Sequence, residues 1–146
     1  MNFKMWALVA LLLPMTAHAE TKREALECLT EAIYFESRSE SFAGQLAVAW
    51  VIKNRSEDNR WPDTYCEVAH QPWQFSYYFD GLPEVYSDKK AKSTAYRSAD
   101  LVYHGTMLDF TQGALYYHTT SVKPDWDWSK IEVVMIVDNH IFYKDK

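Results

Sequence analysis

The chain has 146 residues, the length of one domain, and carries 15 lysine and arginine residues against 20 aspartate and glutamate residues. Hydrophobic residues make up 48% and charged residues 24%, which excludes a wholly disordered or low-complexity chain. The formal net charge is −5 and no dense run of lysine or arginine is present, so a nucleic-acid partner is not expected.

The first 19 residues have the pattern of a signal peptide. Lys4 precedes an apolar stretch over residues 5–15, and a small-x-small cleavage site ends at Ala19. This stretch is shorter than the ~20 residues that a helix needs to cross a bilayer, so we expect export with cleavage after Ala19 rather than a membrane anchor. Residues 20–146 are then expected to form a single domain with no stable membrane span.

A first helix is predicted from Lys22 to Glu36 or slightly beyond, because apolar residues recur there at helical spacing. These residues are Ala25, Leu26, Leu29, Ala32 and Ile33. Glu36 falls on the same face, whereas the other glutamates of the helix project away from it. A carboxyl group on an apolar face loses solvation, which raises its pKa and suits it to act as a general acid. The alternative is that Glu36 is solvated or paired with Arg38.

Two cysteines, Cys28 and Cys66, lie in the part of the chain that would be exported. A disulfide between them would close a separation of 38 residues and contribute roughly 4 kcal/mol in the chain-entropy model. Two buried free thiols are the alternative. The disulfide is favoured because export, an even cysteine count and the absence of zinc-like spacing all point to it. No metal or other cofactor is expected from the histidine spacing or the scattered glycines.

A second helix is predicted from Phe42 to about Arg55, with Ser41 as its N-cap. Its stretch from Leu46 to Ile52 is apolar nearly all round, so this helix should be central in the fold. Residues 56–87 are punctuated by proline and glycine, which predicts a long loop region with little regular structure. Loops of that length in a compact domain are usually functional.

The remaining elements are one helix and three short strands. The helix is predicted from about Asp88 to His104, with Gly105 directly after it. The strand-like runs are Ala114 to His118, Glu132 to Val137 and His140 to Tyr143, with a tight turn at Asp138-Asn139 between the last two. The fold class is therefore α+β.

Aromatic residues make up 16% of the chain, and many lie outside the predicted helices. They include Trp61, Trp73, Tyr77, Tyr78, Phe79, Trp126 and Trp128. A flat apolar ring with a polar edge suits both a small core and the face of a sugar, so packing and glycan binding both remain open.

A set of short motifs extends over nearly all of residues 20–146. They are Glu31-Ala-Ile-Tyr-Phe-Glu36-Ser-Arg-Ser-Glu40, Gly44-Gln45-x-Ala47-Val48-Ala49, Val51-Ile52-x-Asn54-Arg55, Trp61-Pro62-Asp63-Thr64-x-Cys66, Gln71-Pro72-x-Gln74-Phe75-Ser76, Gly113-Ala114-x-Tyr116-Tyr117-His118 and Asn139-His140-Ile141-Phe142-Tyr143. In combination they resemble the cell wall hydrolase family typified by the catalytic domain of the spore cortex-lytic enzyme.

The resemblance implies a mainly helical, lysozyme-like lobe with a small antiparallel sheet from the C-terminal third. It implies a bacterial enzyme whose partner is the glycan strand of peptidoglycan, cut between N-acetylmuramic acid and N-acetylglucosamine. The signal-peptide pattern adds the expectation that this enzyme is periplasmic or secreted and acts in the bacterial cell envelope. The catalytic glutamate of the family falls on Glu36. A lytic transglycosylase uses that one residue and leaves 1,6-anhydro ends, whereas a hydrolytic muramidase, the alternative, needs a second carboxylate.

Glu40, four residues after Glu36, is the nearest candidate for a second carboxylate, and we expect it to organise the site. By the same resemblance, the cleft would be lined by Gln45, Gln71, Phe75, Ser76, Tyr116 and His118. Capping or core roles are alternatives for several of these residues. Where the family commonly has Ala-Arg-Gly-Glu, this chain has serine at 39, which makes a positive φ costly there and allows a different turn before Glu40.

A reading of another class is a non-catalytic glycan-binding module of the envelope. In that reading the aromatic residues bind sugar and Glu36 is structural.

Overall fold

The computed structural model describes residues 19–72 and 74–146. The predicted signal peptide, apart from Ala19, lies outside the described residues, as does Trp73. The α-helices are α1 (Lys22–Ser37), α2 (Phe42–Glu57), α3 (Tyr65–Ala69) and α4 (Lys89–Tyr103), a 3₁₀ turn covers Ser76–Phe79, and the strands are β1 (Tyr116–Thr119), β2 (Ile131–Val137) and β3 (His140–Asp145). No helix in these ranges is long and apolar enough to cross a membrane.

The three long helices begin where side chains can satisfy their first backbone amides. Thr21 and Glu24 form a capping box at α1, the hydroxyl of Ser41 accepts from the amide of Gly44 at α2, and Asp88 caps α4. The middle of α2 is buried on all sides, and it packs with α1 and α4 around one hydrophobic core. The predicted helices and their capping residue Ser41 are therefore confirmed.

The prediction of a long irregular loop over 56–87 is wrong in part, because it contains α3 and the 3₁₀ turn. The hydroxyl of Thr64 caps α3, and the carboxylate of Glu20 accepts hydrogen bonds from the amides of Tyr65 and Cys66 at 3.1 and 2.7 Å. A helix of five residues is not stable alone. Because Glu20 and a covalent link to α1 stabilise α3, its own five residues do not predict a helix.

That covalent link is the predicted disulfide between Cys28 and Cys66, which joins α1 to α3 with the two Cα atoms 5.1 Å apart. The alternative of two free thiols is thereby excluded. The disulfide fixes α3, and with it the chain that leads towards the 3₁₀ turn, against the middle of α1.

The strands form an antiparallel sheet in the order β1-β3-β2. The predicted turn at Asp138-Asn139 closes the β2–β3 hairpin, and Asp138 adopts a left-handed φ of 48° there. Phe142 of β3 packs on the face of α2 formed by Val48 and Val51. The α+β class is confirmed, although β1 begins at Tyr116 rather than Ala114 and β3 continues to Asp145.

The C-terminal end of α2 fixes the start of β1. The amide of Asn54 donates to the carboxylate of Asp109 at 3.0 Å and to the carbonyl of Ala114 at 3.1 Å. The buried guanidinium of Arg55 donates through Nε to the carbonyl of Leu115 at 2.7 Å. A hydrogen bond from a charged guanidinium is stronger than one between neutral groups. Arg55, together with Asn54, therefore fixes the position of β1 along α2.

The corner between α1 and α2 is held against the β2–β3 turn by two carboxylates. Asp138 accepts a hydrogen bond from the amide of Ser41 at 2.8 Å, and Glu40 accepts one from the amide of Asn139 at 3.1 Å. These two side chains lie so close to the start of α2 that a Cβ on Gly44 would lie 2.6 Å from Oδ2 of Asp138 and 2.9 Å from the Cβ of Glu40. Glycine at 44 is therefore required by this contact.

We expect Gly44→Ala to lower the free energy of unfolding by about 1–2 kcal/mol, because the cost of overpacking exceeds the gain in helix propensity. Urea denaturation measures the change. In an Asp138→Ala background the same substitution should cost less, since the nearest clashing atom is gone. If Gly44→Ala raised stability by the ~1 kcal/mol that propensity alone gives, the close contact would be disproved.

Candidate active site

Glu36 lies in the last turn of α1 with its carboxyl group half-buried. The hydroxyl of Tyr117 donates a hydrogen bond to Oε2 of Glu36 at 3.1 Å. Burial raises the pKa of the Glu36 carboxyl, and the hydrogen bond from Tyr117 only partly opposes this increase, because it favours the ionised form. The direction of the pKa shift agrees with the position of Glu36 on the apolar face of the helix.

Arg38 does not neutralise this carboxyl group. Its guanidinium lies over the ring of Tyr34, 5.1 Å from the ring centroid, and it forms no ion pair with Glu36 in the described part of the chain. The carboxyl group can therefore hold a proton at a higher pH than an exposed glutamate can.

Tyr117 is a fixed donor. Its ring stacks on Phe142 with centroids 5.6 Å apart and meets the ring of His140 at 5.2 Å. Burial, followed by the nearby negative charge of Glu36, raises the pKa of Tyr117 well above its usual value. The phenol therefore stays protonated, so it can donate to Glu36 but cannot compete with it for a proton near neutral pH.

A second tyrosine, Tyr77 in the 3₁₀ turn, lies buried near the same carboxyl group. Burial raises its pKa most, and the negative charges of Glu31 and Glu36 raise it further. Its ring stacks on Phe35 of α1 at 5.1 Å, which fixes the 3₁₀ turn against the end of the helix.

Glu40 has a structural task in the corner described above. Its side chain is only 6% exposed and accepts hydrogen bonds from the amide and the side chain of Asn139 at 3.1 and 3.4 Å, while Nδ1 of His140 lies 3.8 Å away. Burial lowers the pKa of His140, and the charge of Glu40 opposes that change. In the described residues the non-glycine positions with positive φ are Gln112 and Asp138, so serine at 39 is accommodated without left-handed backbone.

A groove of about 340 Å³ lies at the end of α1, where Phe35 and Arg38, which lie on either side of Glu36 in the sequence, contribute to its lining. Phe35 and Arg38 form one wall, and Ser76 and Tyr77 of the 3₁₀ turn form the other. Of the predicted lining residues, the exposed Ser76 lies in this groove, while Phe75 is fully buried with its ring 6.5 Å from that of Tyr117. Phe75 therefore belongs to the core and does not line this groove.

The two predicted glutamines lie apart. Gln45 is 4% exposed on α2, and its amide donates to the carbonyl of Glu40 at 3.4 Å, so it braces the corner. Gln71 lies in a separate hollow with Pro62 and His70. In both, the side-chain oxygen is buried without a hydrogen-bond partner in the described part of the chain.

Tyr116 and His118 lie on the other face of the sheet from Tyr117, because successive side chains of a strand alternate. The hydroxyl of Tyr116 donates to Asp145 at 3.1 Å. His118 donates through Nδ1 to the carbonyl of Thr119, since a carbonyl can only accept, and its Nε2 accepts from the hydroxyl of Tyr143, both at 2.8 Å. The structure does not bring either residue to Glu36.

Tyr117 is the residue that the sequence analysis missed. It lies between two residues that were chosen, in the run Tyr116-Tyr117-His118. In a strand, successive side chains point to opposite faces, so either Tyr117 alone or the pair Tyr116 and His118 had to face the helices. The sequence does not indicate which of the two does.

Comparison with known proteins gives a family match and several relatives. The family model described as Cell Wall Hydrolase matches residues 39–143, a range that begins three residues after Glu36. The spore cortex-lytic enzyme of Halalkalibacterium halodurans is 32% identical over 118 residues, covering 80% of this chain and 34% of that protein. That of Bacillus cereus is 31% identical over 120 residues, covering 82% and 44%. The chain thus spans less than half the length of these relatives.

Two solved structures share the fold. The catalytic domain of the Bacillus cereus SleB protein matches with a TM-score of 0.67 and 28% identity, covering 86% of this chain and 93% of that one. The catalytic domain of the germination-specific lytic transglycosylase SleB from Bacillus anthracis matches with a TM-score of 0.65 and 30% identity, covering 82% and 93%. The predicted lysozyme-like architecture, a mainly helical lobe with a small antiparallel sheet, is confirmed.

Replacing Glu36 with glutamine should stabilise the protein at neutral pH, because it removes a carboxylate whose ionised form is poorly solvated in the fold. A raised pKa in the folded state means that stability is lost as pH rises through that pKa. The advantage of Glu36→Gln should therefore grow with rising pH and vanish below the ordinary glutamate pKa of about 4.3. Urea denaturation between pH 4 and 8 measures it.

Glu27→Gln is the matched control, since Glu27 is exposed on the same helix in a surface ion pair with Arg23. Such pairs contribute little, so this variant should differ from the wild type by less than about 1 kcal/mol throughout. A Glu36→Gln variant that is less stable than the wild type at neutral pH would show that the carboxylate is well solvated or paired.

Proposed function

The chain belongs to the cell wall hydrolase family, as its motifs predict, and on that premise we propose that it cleaves the glycan strands of peptidoglycan. The bond cut is the one between N-acetylmuramic acid and N-acetylglucosamine, and the reaction is that of a lytic transglycosylase with Glu36 as acid and base. The observation that carries the proposal is a half-buried carboxyl group with a raised pKa that accepts a hydrogen bond from Tyr117, at the end of the helix that also forms one wall of the groove. The relative from Bacillus anthracis bears the name of a lytic transglycosylase.

In the first step the protonated Glu36 gives its proton to the oxygen that links the two sugars. The bond between this oxygen and C1 of the muramoyl unit breaks, the N-acetylglucosamine end leaves as an alcohol, and positive charge develops on the muramoyl ring. The pKa of Glu36 suits this step because burial favours the protonated form at the start. As the carboxylate forms, the hydrogen bond from Tyr117 stabilises its new charge.

In the second step the same carboxylate takes the proton of the muramoyl C6 hydroxyl, and the oxygen of that hydroxyl bonds to C1. Glu36 is regenerated in its acid form and the product is a 1,6-anhydro sugar, with no water consumed. One carboxylate held by a neutral tyrosine is sufficient for both steps.

Hydrolysis is the alternative, and it needs a second carboxylate to act as a nucleophile or to activate water. Glu40 is the nearest in sequence, but its side chain is almost wholly buried and its oxygens receive hydrogen bonds from Asn139. A carboxylate used in this way has little freedom to serve as a base, which favours transglycosylation. We assign Glu40 a positioning role.

We further propose that the protein works outside the cytoplasm, in the periplasm or after secretion. The signal-peptide pattern of residues 1–19, the disulfide and a substrate that lies in the cell envelope all support this location.

Glu36→Gln should lower the rate of glycan release from purified peptidoglycan by at least ~100-fold, because an amide cannot donate the proton. Glu27→Gln, exposed on the same helix, should keep the wild-type rate. Mass spectrometry of the soluble products should find anhydro-muramoyl ends with the wild type.

Other results would contradict parts of the proposal. Reducing-end products, heavier by one water, would establish hydrolysis and direct the search for a second carboxylate. Cleavage by Glu36→Gln at the wild-type rate would remove Glu36 from catalysis. If folded wild-type protein bound peptidoglycan and released nothing, the non-catalytic glycan-binding module would be the better account.

A further inference from the structure

The outer face of the sheet, which points away from Glu36, carries a row of aromatic rings. The row runs from Trp61 through Tyr116 and Trp126 to Trp128, with successive ring centroids 5.9, 6.0 and 5.7 Å apart. We call these four residues the aromatic row. Each ring is at least partly accessible, and Trp128 is 37% exposed.

The row is rigid because a second layer of rings supports it. His118 stacks on Tyr143 at 5.3 Å, and Trp126 and Trp128 contact both of these rings at 5.5 to 6.0 Å. Both nitrogens of His118 are engaged in the hydrogen bonds given above, so its ring cannot turn freely. An aromatic surface that is already ordered loses little conformational entropy when a ligand binds.

A hollow of about 460 Å³ lies at the Trp128 end of the row. Its wall combines apolar and polar groups: Trp128, Tyr143 and Val122 supply apolar surface, while Thr120 and Lys123 supply hydrogen-bond donors. The side chain of Val122 is 55% exposed, so it is accessible to a ligand in the hollow. Flat apolar faces with a few polar groups at the rim suit the two sides of a sugar ring.

A positive charge at the rim of the hollow indicates which class of glycan it suits. The chain is acidic overall, but Lys123 at the rim of the hollow is exposed and forms no ion pair with any residue in the described part of the chain. A neutral glycan offers this ammonium group hydrogen-bond acceptors but no opposite charge. A glycan whose muramoyl units bear carboxylates complements it.

We propose that the aromatic row and its hollow form a second glycan-binding site, separate from the groove at the end of α1, that holds an N-acetylated strand of peptidoglycan whose muramoyl units carry carboxylates on free lactyl groups or on their peptide stems. The inference rests on the proposed substrate but not on the proposed cleavage. Holding an insoluble polymer at a second point raises the effective concentration of its strands near the groove.

The test is an NMR titration of the Glu36→Gln variant, in which turnover is blocked, with a tetrasaccharide of alternating N-acetylglucosamine and N-acetylmuramic acid. The indole N–H signals of Trp126 and Trp128 should shift, together with amide signals at Ser76 in the groove. Adding Trp128→Ala should weaken binding at the aromatic row by about tenfold or more and leave the affinity reported by Ser76 unchanged. Adding Tyr96→Ala, which removes an aromatic side chain that is 49% exposed on α4, should change neither.

Val122→Glu provides a second variant if Trp128→Ala does not fold, because the side chain of Val122 is exposed. It should weaken the muramoyl tetrasaccharide several-fold more than chitotetraose, which has no carboxylate. The proposal is overturned if the two indole signals do not move at saturation. It is also overturned if Trp128→Ala weakens binding at Ser76 equally, since the row would then be part of one continuous cleft. If the wild type does not cleave peptidoglycan, the proposed function fails, but the shifts of the two indole signals still test the second binding site independently.

Discussion

The carboxylates of Glu40 and Asp138 hold the helical part of the protein and the sheet together at one corner, and the geometry of the site depends on this contact. Each carboxylate accepts a hydrogen bond from a backbone amide of the other element, so the α1–α2 corner and the β2–β3 turn hold each other in place. Asp138 also places negative charge at the N-terminus of α2, where the helix dipole favours it. Gly44 permits the close approach.

The same corner fixes the distance between the acid and its donor. Glu36 lies in the last turn of α1, a few residues before the corner, and Tyr117 lies on β1, which is paired to β3 directly after the turn. Asn54 and Arg55 set the position of β1 along α2 from the other side. A half-buried carboxyl group opposes folding when it is ionised, and this cost is offset by the packing of α2 and by the disulfide between α1 and α3. The fold thus supplies a carboxyl group with a raised pKa at the end of α1.

Much of this could be predicted from the sequence because it depends on local pattern. Helical spacing located α1, α2 and α4 and placed Glu36 on a buried face, and the cysteine count with the export signal predicted the disulfide. The family and its enzyme class are confirmed by a match over residues 39–143. The short helix α3 was missed because Glu20 and Cys28, distant in sequence, stabilise it.

The site residues show where the pattern becomes insufficient. Motif resemblance selects positions in a strand but not the face to which each side chain points, so Tyr116 and His118 were chosen while Tyr117 was missed. Glu40 was chosen as a neighbour of the substrate, but its side chain contacts the hairpin turn 99 residues later, and Gln45 donates to the carbonyl of Glu40 in the same corner. The roles of these side chains follow only from the pairing of the strands and from the contact between the α1–α2 corner and the β2–β3 turn.

The most direct test of the account is an NMR titration of the Glu36 side-chain carboxyl in the folded protein. We predict a pKa above the ordinary glutamate value of about 4.3 and a further increase in Tyr117→Phe, which lacks the hydrogen bond that favours the carboxylate. A wild-type pKa at or below the ordinary value would contradict the central claim that the fold holds a proton on Glu36 for donation to a glycosidic oxygen.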